Sequence, residues 1–107
     1  MGEGAVWDRC FRHGVQWLLR NAGLAKGHLH PKDAKRREKL TVFLRSRFDA
    51  VLEGEEAWNL DDAMKAAYDV RENFKIGWGG AKGVVQLAKV IQVVERMAVK
   101  RRPNAHL

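Results

Sequence analysis

The chain has 107 residues, twenty Lys and Arg against thirteen Asp and Glu, and a net charge of +7. That size allows one hydrophobic core and excludes a second domain, so 1–107 is predicted as a single domain with 103–107 as a flexible tail. A lone cysteine, Cys10, excludes an intrachain disulfide framework and suits a reducing, cytoplasmic setting. The most apolar stretch, 84–99, is broken by Lys89, Glu95 and Arg96, which argues against membrane insertion, and the Met1-Gly2-Glu3-Gly4 start lacks the pattern of a secretory signal.

From residue 5 to residue 22, Trp7, Phe11, Val15, Leu18 and Ala22 recur at spacings of three and four, which predicts a helix with one side against a core. Gly23 suits its end, and Arg9, Arg12, Gln16 and Arg20 fall on the opposite side. Gly14 in its interior costs about 0.8–1 kcal/mol against alanine, so the helix is weak there unless a close neighbour compensates. Residues 24–30 read as a loop. Pro31 suits the first position of a second helix, where no amide hydrogen is needed, and that helix runs to Leu52 and stops at Gly54. Leu40, Leu44, Phe48 and Val51 form its apolar stripe. Lys32, Lys35, Arg36 and Lys39, continued by Arg47, are read as the opposing basic side, with Phe43 exposed among them.

Asn59 can cap a third helix, with Asp62 returning a hydrogen bond and both Asp61 and Asp62 favoured by the helix dipole. Leu60, Met64, Ala67, the Arg71 stem and Phe74 are its expected inner positions. Four glycines between residues 77 and 83 make 75–83 the least helical stretch. A fourth helix follows from about Ala81 to Arg102. Its wide apolar surface, with Val84, Leu87, Ile91, Val94 and Ala98 beside Val90, Val93 and Met97, suits a central helix or one shared with a second subunit. Four helices with short connections predict an all-α fold, a small four-helix bundle-like domain.

Charge is distributed in blocks. Residues 1–53 carry eleven basic and six acidic side chains, 54–76 carry three and six, and 77–107 carry six and one. Cations on one helical side neutralise phosphates and release counterions, so Lys32, Lys35, Arg36, Lys39 and Arg47, extended by Arg9, Arg12 and Arg20, point to DNA or RNA held by phosphate contacts, with Phe43 available to stack on a base. The same stripe also fits an acidic surface on a partner protein, and charged residues ordinarily cover solvent faces. The third and fourth helices make a poor helix-turn-helix, because the reading helix would offer bases mainly Val, Leu and Ile.

The glycine segment departs from a Walker A loop, since Ala81 precedes Lys82 and Gly83 follows it, although Gly79, Gly80 and Lys82 could hold one anion at a helix start. Cys10, His13, His28 and His30 lack the spacing of a structural zinc site, and no metal or other cofactor is expected. Asp61 and Asp62 serve a helix start, Ser46 is the sole serine, and no catalytic set is evident. Trp7, Trp17, Trp58 and Trp78 are read chiefly as packing residues. The sequence thus predicts a non-enzymatic, basic, helical nucleic-acid-binding protein, acting as a homodimer or larger assembly. An adaptor or inhibitor of an acidic protein surface is the alternative.

Overall fold

Helix ends in this molecule follow local backbone chemistry. The computed structural model describes residues 3–15, 31–74 and 80–102. Helix α1 (Glu3–Cys10) continues as a π-helical turn over Phe11–Val15, and α2 (Pro31–Leu52), α3 (Leu60–Phe74) and α4 (Gly80–Lys100) complete an all-α, bundle-like domain. The π turn contains Gly14, the residue expected to weaken the first helix, and its wider i→i+5 winding replaces α-helix there. Leu18, Ala22, Gly23 and the 103–107 tail lie outside the described residues.

Pro31 opens α2 as predicted, and Gly54 ends it at a φ of 122°, a region that side-chain-bearing residues rarely enter. The Gly54 amide donates to the Val51 carbonyl and the Glu55 amide to the Ala50 carbonyl, each at 3.0 Å. This crossed pair is a Schellman motif, which satisfies two of the carbonyls left over at the end of α2. Five residues later Asn59 caps α3, its Oδ1 accepting from the Asp62 amide at 2.8 Å.

Helix α4 is the centre of the domain, packing extensively on both α2 and α3, whereas α2 and α3 touch each other much less. Val84, Leu87, Val90, Ile91, Val94 and Ala98 of α4 meet Leu40, Leu44, Phe48 and Val51 of α2 in the buried core. α2 and α4 run in the same direction, as shown by pairing of Arg47 with Glu95 and of Val51 with Arg102, and α3, which joins them in the chain, returns along α4. On the far side α1 lies against α2, with the Trp7 ring 5.5 Å from Phe48 and 5.8 Å from Phe11.

The inner side of α3 agrees with expectation at Ala67 and differs at Leu60, with Ala63 and Val70 taking inner places that were not expected. Ala63, Ala67 and Val70 are buried, Met64 is half-buried, and Leu60 is exposed. Small side chains at spacings of four and three let the backbone of α3 approach its neighbour closely, and that choice turns Leu60 outward. At the start of α4, helix begins at Gly80, so Lys82 and Gly83 belong to its first turn and not to a loop.

Candidate functional site

The predicted basic side of α2 divides into two parts with opposite fates. Lys35 and Lys39, toward its start, are exposed, as are Arg9 and Arg12 on α1 and the π turn. None of these four forms an ion pair among the described residues. Arg20 lies outside the described residues, as do the side chains of Lys32 and Arg36.

Arg47 corrects the expectation. It is 8% exposed and faces the core, because it stands three residues after Leu44 and four before Val51, in register with the apolar stripe. Its guanidinium meets Glu95 of α4, itself 1% exposed, with Nε donating to Oε2 at 2.9 Å and a second, shorter bond from the same group to that oxygen. It also donates to Glu55 Oε2 at 3.2 Å and stacks 3.7 Å over the Trp58 ring. The other oxygen of Glu95 accepts the Trp58 amide at 3.1 Å. Two buried charges are thereby paired and hydrogen-bonded, the condition under which burial is tolerated. Glu95, Glu55 and Trp58 were not singled out as partners from sequence. The signal was present, since Glu95 is four residues after Ile91 and three before Ala98, an acid in an apolar register.

Phe43 is half-buried against the core and lies 6.4 Å from Trp58, so its ring does not project free among the lysines. Together the two rings line a groove of about 410 Å³ between α2 and α3, whose other wall carries Asp62, Lys65, Ala66 and Asp69. Arg47 stacks on the Trp58 ring and Glu95 accepts the Trp58 amide, so the polar cluster holds this part of the groove lining in place.

The remaining candidates occupy other parts of the fold. Cys10 is buried, and burial pushes its thiol above the ordinary range against the lowering charges of Arg101 and Arg9, which suppresses the reactive thiolate. Among the described residues no group of three His, Cys, Asp or Glu side chains is placed to hold a metal; His28, His30 and the His13 side chain lie outside that set. Asp61 and Asp62 are exposed in the first turn of α3, and the Ser46 hydroxyl donates to the Phe43 carbonyl at 2.6 Å. Gly79, Trp17, Trp78 and the side chain of Lys82 are also outside the described residues. Among the described residues no helix is long and apolar enough to cross a membrane.

No protein-family model matches the chain, no curated protein matches it, and no solved structure matches it. The class defined by the structure is therefore architectural: a small all-α domain whose described residues form four helices, with a buried arginine–glutamate pair joining the second to the fourth.

Proposed function

We propose that the protein binds nucleic acid through phosphate contacts, acting by binding and not by catalysis. One observation carries the reading: Arg9, Arg12, Lys35 and Lys39 are solvent-exposed cations without a carboxylate partner among the described residues. A paired cation must give up its partner before it can grip a phosphate, and these four need not. Arg47 takes no part, because its donors are committed inside the molecule. Phe43 is left out as a base-stacking residue, since its ring rests on the Trp58 side.

The cations make two clusters. Helix α1 packs on α2 at Phe48, and Lys39 stands nine residues earlier on α2, about 13 Å along the axis. Such a layout suits contacts to separate phosphates of one strand or duplex and gives little readout of base edges.

Titration of labelled DNA and RNA with the nuclease-treated protein at several salt concentrations tests the reading. Affinity is expected to fall linearly in log–log form with salt, and charge reversal in Lys35→Glu/Lys39→Glu to weaken binding with the melting curve unchanged. No uptake of either nucleic acid at about 50 mM salt, where contacts of this kind are strong, overturns it and leaves the same cations to an acidic protein surface.

A further inference from the structure

The apolar groove between α2 and α3 is a part of the molecule that the phosphate-binding reading leaves unused, apart from Lys39 at its edge. Val42 is 65% exposed and shares a shallow apolar depression with Phe43, flanked by Glu38 and Lys39. Phe43 also lines the larger groove with Trp58 and Ala66, so one apolar strip runs from α2 across to α3. α1 packs against α2 on the side marked by Phe48, while α3 has its main contact with α4. Glu38, Asp62 and Asp69 stand along the edges with Lys39 and Lys65, and none of the five is in an ion pair among the described residues.

We propose that this groove is the seat of a second copy of the chain, two α2–α3 hairpins meeting face to face as a four-helix interface. Charge complementarity selects this occupant. Three carboxylates against two ammonium groups is a nearly balanced rim. A strongly acidic or strongly basic partner finds no matching excess there, whereas a patch carrying both signs complements its own copy across a twofold axis. A chain of +7 repels its own copy over most of its surface, and this rim, with its two signs nearly balanced, is where two copies meet with little net repulsion. At the centre Val42, Phe43 and Ala66 supply the apolar contact, and Trp58 is already oriented by Arg47. The fifteen residues of α3 make a face about 22 Å long and two helices, about 20 Å, wide, which places the pairing at the small end of specific interfaces.

Sedimentation of nucleic-acid-free protein from about 1 μM to about 1 mM covers the affinities such an interface gives. The wild type is expected to pass from one to two chain masses across this range. Val42→Lys, at an exposed position where the new ammonium can pair with Glu38 one turn away, is expected to raise the dissociation constant about tenfold or more with an unchanged melting curve. Lys65→Glu, on the other wall, is expected to weaken the dimer in the same direction by making the rim wholly acidic on α3. A wild type that stays monomeric to the top of the range overturns the proposal. So does a dimer that forms equally well in both variants. Neither outcome touches the phosphate-binding reading, which is measured at low protein concentration with nucleic acid present.

Discussion

The two halves of α2 carry cations of the same kind and use them in opposite ways. Lys35 and Lys39 lie in the first half and keep their charge in water, where it is available to a partner and contributes little to the fold. Arg47 lies in the second half and is enclosed by Glu95, Glu55 and Trp58. Position on the helix, not residue type, decides the difference: a cation in the register of Leu44 and Val51 must bring its own counter-charge into the core. Arginine suits that task because its planar fork serves several acceptors while its face stacks on an indole. One helix thus contributes both an end whose cations stay in water and a pinned end that organises the connection to α3.

Breaking the pinned end has the largest expected effect. Glu95→Ala leaves the Arg47 guanidinium buried with only the exposed Glu55 carboxylate as its charged partner, and a loss of about 3–5 kcal/mol is expected in urea denaturation. The double variant Arg47→Met/Glu95→Leu removes both charges together and is expected to stay close to the wild type. If the single and double variants lose the same stability, the cluster matters for packing and not for charge compensation. Next in size is Arg102→Met. Arg102 Nε donates to the Val51 carbonyl at 2.8 Å and its terminal nitrogen to the Glu55 carbonyl, so this side chain satisfies the end of α2 from the end of α4. Losing charge-assisted bonds of this kind is expected to cost about 1.5–3 kcal/mol, seen as a lower melting temperature, while Arg102→Lys recovers part of it.

Those same two ends show what was legible in the amino-acid order. Pro31, Gly54 and Asn59 place their helix boundaries correctly because a ring without an amide hydrogen, a positive φ and a short capping side chain act on neighbouring residues alone. Stripes such as Leu40–Leu44–Phe48–Val51 are legible for the same reason, being properties of one helix. Arg47 was misplaced because its charge outweighed its spacing. Arg47 and Glu95 are each anomalous within their own helices, and only the two anomalies together, of opposite sign, announce a buried pair. The groove was not legible at all. It depends on α3 presenting Ala63 and Val70 inward beside Ala67, in preference to Leu60, a choice made by the fit of α3 against α4 and invisible within α3 itself.

Smaller effects sharpen the contrast between structural and available polar groups. Asn59→Ala removes the acceptor of the Asp62 amide and is expected to cost about 1 kcal/mol in thermal unfolding, with Asn59→Asp close to neutral because aspartate caps as well. The exposed lysines stand at the end of this scale. Lys35→Gln/Lys39→Gln is expected to change stability by no more than about 0.5 kcal/mol, the ordinary range for surface sites. Its effect should appear only with nucleic acid, where the loss of two phosphate contacts makes the log–log salt slope on duplex DNA less negative by about 1.8. Arg9→Gln/Arg12→Gln provides the paired measurement on α1. If each double variant reduces the slope by that amount and the quadruple variant by their sum, one ligand spans both clusters. A slope that responds to one pair alone confines the ligand to one end of α2, and a slope that responds to neither removes both clusters from the interface.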